Sequence, residues 1–134
     1  MLIEEYSQID PYEILSLYSS VGWTAYTDNP DSLLRGIRNS LLTLAAFDKD
    51  RLLGLIRCVG DGETIIYVQD ILVYPEFQRR GIGSALAREL LGRFPNVRQI
   101  VLSTDKEERT MEFYKSMGFE SLENIGCRGV MLLK

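Results

Sequence analysis

Histidine is absent from this 134-residue chain. That removes imidazole as a general base, as a member of a catalytic triad and as a metal ligand. Cysteine is scarce: Cys58 and Cys127 stand far apart and form no CxxC pair. A structural zinc or thioredoxin-type site is therefore not expected, and two free thiols are. With neither residue type available in clusters, no metal is expected. No run of about 18 apolar residues occurs, so no helix is expected to cross a membrane. Long Lys/Arg runs are also missing, and the net charge is -4. Nucleic-acid binding, which needs a basic face, is not expected. The opening residues, MLIEEYSQID, lack the basic start and apolar stretch of a signal peptide, which points to a cytoplasmic protein.

What is present fits one soluble domain spanning 1–134. Hydrophobic residues make up 46% and charged residues 25%, which excludes a disordered tail, a collagen and a coiled coil. Leu2–Tyr6 reads as a first strand. Asp10-Pro11-Tyr12-Glu13 has the form of a helix start, with Asp as N-cap, Pro at the first helical position and Glu at N3. Ile14, Leu15, Leu17, Tyr18 and Val21 give that helix its apolar stripe, and Gly22 ends it. Asn29-Pro30 starts a second helix, with Leu33, Leu34 and Ile37 inward.

The period then changes. Leu41–Phe47, Leu52–Val59 and Thr64–Val73 are rich in apolar and β-branched residues, separated by Asp48-Lys49-Asp50 and Gly60-Asp61-Gly62. Short turns between such runs predict an antiparallel meander. Ile82, Leu86, Leu90 and Phe94 mark a third helix, and Val97–Leu102 the next strand, so strand–helix–strand reads as a parallel crossover. Asp105-Lys106-Glu107-Glu108 reads as a second capping box, before a helix carrying Met111, Phe113, Tyr114 and Met117. Gly118 sits where a left-handed C-cap belongs. Phe119–Leu122 and Arg128–Leu133 read as final strands around Asn124-Ile125-Gly126. The predicted fold class is α+β: one mixed, mostly antiparallel sheet with helices on both faces.

Chemistry concentrates in Ile71–Leu86, ILVYPEFQRRGIGSAL. A strand runs through a turn into Gln78-Arg79-Arg80-Gly81-Ile82-Gly83-Ser84 and on into a helix. Glycines remove Cβ atoms where backbone must bend and a ligand can approach. The first N–H groups of a helix lack intrahelical acceptors, and the macrodipole adds positive charge. Phosphate is the natural ligand for such a terminus, and Arg79 and Arg80 add cationic charge. A P-loop would need Gly-Lys-Ser/Thr, and no Lys follows Gly81 or Gly83. A dinucleotide fingerprint would need a third glycine where Leu86 stands. A GxG alone also fits plain turn glycines.

The series Val73-x-Pro75-x-x-Gln78-Arg79-Arg80-Gly81-x-Gly83-x-Ala85-Leu86 resembles the acetyl-CoA motif of the GNAT acetyltransferase superfamily. Phe113-Tyr114-x-x-x-Gly118-Phe119 resembles its second motif, at the expected distance, and the element order matches over essentially the whole chain. More loosely, Gly126-x-Arg128-Gly129-x-Met131, Gly60-Asp61-Gly62 and Asp70 resemble the plant-type serotonin (arylalkylamine) acetyltransferase branch. The resemblance implies an acyl-CoA N-acyltransferase fold with a splayed central strand pair, here Thr64–Val73 and Val97–Leu102. It implies acetyl-CoA as co-substrate and a primary amine, of a small molecule or a peptide, attacking the thioester directly. It also admits a homodimer paired through the last strands.

The same resemblance implies roles. Backbone of Gln78, Arg79, Arg80, Gly81, Ile82, Gly83 and Ser84 would hold the pyrophosphate. Ile71, Leu72 and Val73 would pair with the pantetheine arm, with an N–H near Leu72 polarising the thioester carbonyl. Phe113 and Tyr114 would contact the cofactor, and Tyr114 would protonate the leaving thiolate. Asp70 interrupts an apolar run, which suits either a general base or a salt-bridged carboxylate. Trp23, Tyr26 and Tyr67 would line the acceptor pocket, although Trp23 and Tyr26 also suit a core. Many family members carry Asn six residues before Phe-Tyr; Glu107 stands there and cannot donate a hydrogen bond. A CoA-binding module without turnover and a nucleotide-binding enzyme are the alternatives.

Overall fold

A computed structural model describes all 134 residues as two compact units, Met1–Ser103 and Thr104–Lys134. The first contains strand β1 (Leu2–Glu5) and helices α1 (Pro11–Ser20), α2 (Thr24–Thr27) and α3 (Pro30–Arg38). Strands β2 (Leu42–Asp48), β3 (Arg51–Gly60) and β4 (Ile65–Val73) follow, then α4 (Ile82–Arg93) and β5 (Gln99–Leu102). The strands form one sheet in the order β1-β2-β3-β4-β5. Neighbours run antiparallel except β4 and β5, which are parallel. The expected meander and crossover are both present; α2 falls within what reads as a loop.

Asp10 caps α1 by accepting from the Tyr12 N–H at 2.9 Å. The expected reciprocal arm from Glu13 is replaced. The Tyr6 hydroxyl accepts from the Asp10 N–H at 3.2 Å and donates to Glu13 Oε1 at 2.8 Å. A tyrosine from the chain before the helix thus closes the capping box, and ties β1 to α1. Burial, the largest cause, pushes the Tyr6 hydroxyl upward in pKa.

Alternation along β3 sorts the two sides of the sheet. Leu55 packs with Ile14, Leu17 and Tyr18 of α1 and Leu33, Leu34 and Ile37 of α3. The opposite side carries Ile56 and Cys58, and α4 covers β2, β3 and β4 with Ile82, Leu86 and Leu90 turned inward. Because both faces are covered, Leu52–Cys58 is buried throughout. Each fully buried Leu or Ile contributes about 1.5–3 kcal/mol relative to exposure. At Gly54 the strands approach so closely that a Cβ would lie 2.6 Å from the Leu72 carbonyl oxygen.

In the second unit, α5 (Glu108–Lys115) ends in a Schellman arrangement. The Phe119 N–H bonds the Tyr114 carbonyl and the Gly118 N–H bonds that of Lys115, with Gly118 at φ 95. Phe119 packs on Tyr114, ring centroids 5.7 Å apart. Two expectations are corrected here. Asp105 does not cap α5; its Oδ1 accepts from the Glu107 N–H two residues on, a local Asx turn, and Glu107 is the N-cap residue without a side-chain bond. The final strands do not form. Leu122–Ile125 is a 3-10 turn, and Val130, Met131, Leu132 and Leu133 are exposed. Strand preference is a preference for packing on a pleated surface. The turn bonds itself through Asn124 to Ser121 and Cys127 to Leu122, leaving its flanks without strand partners.

Candidate active site

β4 pairs with β5 only over Ile65–Val68, opposite Gln99–Leu102. Beyond Val68 it continues to Val73 bonded to β3 alone. One edge of Gln69–Val73, which includes the expected Ile71, Leu72 and Val73, therefore lacks a neighbouring strand. An extended ligand can add there as a pseudo-strand through main-chain hydrogen bonds. The split strand pair predicted from the sequence is this fork.

The chain then turns through Pro75–Phe77, a single 3-10 turn. Gln78 holds the turn against the strand end, its Nε2 donating to the Val73 carbonyl at 3.1 Å and its N–H to that of Pro75. The next six N–H groups, Arg79 through Ser84, donate to no acceptor in the protein. Arg79 and Gly81 have left-handed φ of 64 and 82. Such alternation around Arg80 is the backbone pattern from which concave anion sites are built. A non-glycine residue with φ near +60 is uncommon and held only where its surroundings require it. A Cβ at Gly81 would meet nothing within 4 Å, so the space before the amides is open. α4 has neither a side-chain cap nor an acidic residue in its first turn. Its dipole is left uncompensated, with Arg79 and Arg80 exposed beside it. The Arg80 guanidinium lies over the Phe77 ring, 5.5 Å from the centroid. This donor set fits a diphosphate.

Asp70 lies at the other end of the unpaired edge and is the reverse case. The register of β3 against β4 shifts between Arg57 and Cys58: Cys58 faces Val68, Arg57 faces Asp70, and Gln69 is the extra residue of a bulge. The bulge moves Asp70 to the α1/α3 side, although Val68, two residues earlier, lies on the α4 side. There Asp70 accepts from Arg57 Nε at 2.6 Å, Tyr18 Oη at 2.8 Å and Tyr26 Oη at 2.7 Å. Arg57 also donates to Ser40 Oγ at 3.1 Å and to Tyr26 Oη at 3.3 Å. The ion pair is nearly closed to solvent, with side-chain exposures of 7% and 3%. Of the two readings open from the sequence, the structure places Asp70 in a salt bridge. Burial drives the Tyr18 and Tyr26 hydroxyls upward in pKa, so both are protonated donors.

Tyr26 is half-buried and Trp23 is 37% exposed, with ring centroids 6.2 Å apart. Tyr18 stands edge-on to both. Tyr67, opposite Val59 and hence on the same side of the sheet as Arg57, donates to Ser103 Oγ at 2.7 Å just past the end of β5. The three expected acceptor-site residues thus share one side of the sheet near the fork. Within the second unit, Tyr114 is buried and packs edge-on to Phe113 at 5.0 Å. Burial first, and Asp105 second, raise the Tyr114 hydroxyl above its ordinary range, keeping it protonated at neutral pH.

The sequence reading missed Arg57, Tyr18, Ser40 and Gln69. Arg57 carried a signal: it is the lone charge inside Leu52–Val59, as Asp70 is inside its own run. Two opposite charges in adjacent hairpin strands invite pairing across the ladder. The bulge hides their register.

A mixed sheet with an open strand edge leading into an uncapped, amide-rich helix terminus is the architecture of an acyl-CoA N-acyltransferase fold. Residues 8–119 match the acetyltransferase (GNAT) family, and the chain belongs to it. The GNAT family protein SP0256 from Streptococcus pneumoniae TIGR4 is 38% identical, with a TM-score of 0.89 over 99% of this chain and 97% of that one. An aminoglycoside 6'-N-acetyltransferase complexed with coenzyme A shares the fold at 20% identity, TM-score 0.72, over 88% and 84% of the two chains. An uncharacterized N-acetyltransferase, ycf52, of Pyropia yezoensis is 24% identical over 115 residues, 83% of this chain. The chain spans 65% of the length of that curated relative.

Proposed function

We propose that this acetyltransferase moves an acetyl group from acetyl-CoA to a primary amine of a small molecule or peptide. The observation that carries the reading is the run of six unpaired N–H groups at Arg79–Ser84. Acetyl-CoA, when bound, supplies an activated acetyl thioester. The amides of Arg79–Ser84 and the two arginine side chains bind its diphosphate, and the free edge of Ile71–Val73 orients its arm. A main-chain N–H near Leu72 donates to the thioester oxygen as charge develops there. Tyr114, kept protonated by burial, would pass its proton to the departing sulfur and regain one as the attacking nitrogen loses its second proton through solvent; this role rests on the Phe113-Tyr114 motif. Asp70, already serving three donors, acts as an anchor for Tyr26 and not as the base. The amine loses its proton to solvent beside Tyr67. Trp23 and Tyr26 wall the acceptor.

Both units belong to one catalytic domain in this reading, since the family match runs across their boundary. A cytoplasmic setting without metal or nucleic acid agrees with the composition. No helix is long and apolar enough to cross a membrane. A homodimer agrees with the exposed run Val130–Leu133 and with β5 as an open sheet edge.

Incubation with acetyl-CoA and tyramine, spermidine, kanamycin and tri-alanine, followed by free-thiol release, tests the assignment. Turnover with at least one amine is expected. Tyr114→Phe should then lower kcat about 100-fold or more with acetyl-CoA affinity retained. Binding of acetyl-CoA without thiol release from any amine would favour a non-catalytic CoA module.

A further inference from the structure

Gln69 is the bulged residue of β4 and follows Val68, the last residue paired with β5. It therefore stands at the mouth of the fork. It is exposed, and its Nε2 donates to Tyr26 Oη at 3.0 Å. The direction of that bond has a cause. Tyr26 has one hydroxyl proton, and a salt-bridged carboxylate can only accept, so the proton points at Asp70 Oδ1. Arg57 Nη2, at 3.3 Å, can only donate to the Tyr26 oxygen. The Tyr26 oxygen is left able to accept and unable to donate elsewhere. Gln69 must turn its NH2 toward it, which turns Oε1 away. No protein donor reaches Oε1.

We propose that Gln69 Oε1 is the hydrogen-bond acceptor that takes the N–H of the incoming amine. Arg57, Asp70 and Tyr26 are positioning residues acting through it. The buried charges neutralise each other, the Tyr26 hydroxyl is fully engaged, and Trp23 and Tyr26 offer ring faces. The site therefore takes a primary amine borne on a hydrocarbon or aromatic body, which it fixes through a neutral carbonyl. This rests on the transferase reading above.

The test uses whichever amine of the four gives the highest kcat/KM with the full chain. Gln69→Leu, which cannot accept, should raise the amine KM about tenfold, the size of one hydrogen bond. Acetyl-CoA affinity by calorimetry and the unfolding temperature should stay at wild-type values. Gln69→Glu keeps an accepting oxygen, loses the donation to Tyr26 and adds a negative charge that also attracts an ammonium, so its amine KM should stay within about threefold of wild type or fall below it. Equal impairment of the two variants would reduce Gln69 to a brace for Tyr26, and an unchanged KM in Gln69→Leu would remove it from the site; either overturns the proposal. Wild-type protein that acetylates none of the four amines would sink the transferase reading first, and this inference with it.

Discussion

Two polar clusters flank the unpaired edge of β4, and they are built on opposite terms. At its start, Asp70 is surrounded by donors, and Arg57, Tyr18 and Tyr26 each have a partner within the protein. Past its end, Arg79–Ser84 offers a series of donors and no acceptor. Buried polar groups left unpaired are costly, so a protein satisfies those that serve architecture. Exposed N–H groups without acceptors are free for something from outside. A perturbed, charged cluster in an enzyme is therefore not by itself the place of chemistry. Here the saturated cluster holds Tyr26 and its neighbours in place, and the unsatisfied one is where the proposed function puts the ligand.

The largest expected effect breaks the saturated cluster. Arg57→Met leaves Asp70 as a buried, unpaired carboxylate and should destabilise by about 3–5 kcal/mol in denaturant unfolding. The double variant Arg57→Met/Asp70→Leu should recover much of that loss. A small effect of Arg57→Met alone would mean that the pair is hydrated in solution and the contrast between the clusters false. Gly83→Val acts on the other cluster. It should weaken acetyl-CoA binding by about 100-fold or more in calorimetry while the unfolding transition stays in place, because a side chain crowds the amides. Unchanged binding would show that the open amides serve no diphosphate.

The smallest effect concerns a third polar group, satisfied like Asp70 but fully exposed. Asp61 accepts from the N–H groups of Glu63, Thr64 and Ile65 and from the Thr64 hydroxyl. These bonds, with the Thr64 hydroxyl first among them, hold its carboxyl well below the usual carboxylate range. A depressed folded-state value means the stabilisation is fully present above the unfolded pKa near 3.9 and fades as pH falls through the folded value. Thermal unfolding of Asp61→Asn should therefore lie slightly below wild type at neutral pH, and the gap should close in strong acid. A gap independent of pH would assign the turn to geometry alone.

Much of the fold was legible because local rules act over few residues. Asp10-Pro11 marks a helix start, Gly118 marks a helix end, and the Gly60-Asp61-Gly62 turn separates two strand-forming runs. The run of unpaired amides was legible for the same reason: two glycines and two arginines at the head of an apolar helix fall within seven residues. The failures share an opposite cause. Arg128–Leu133 has strand composition but gains no partner strand, and composition does not say whether a surface is waiting. The Glu13 arm of the first capping box was taken by Tyr6, a residue ahead of the helix whose reach depends on how β1 packs.

The order of residues by itself determined that a run of main-chain amides would stand unpaired at the head of α4, because a glycine-rich helix start needs only local geometry to free them. It also determined the alternation from helices to meander to crossover, since periodicity is written in neighbouring residues. Only the tertiary structure decided what Asp70 does. One inserted residue in β4 shifts the register and carries Asp70 to the face where Arg57, Tyr18 and Tyr26 converge. Long-range contacts fix that shift, because pairing across a sheet is a property of two strands together and neither strand holds it alone.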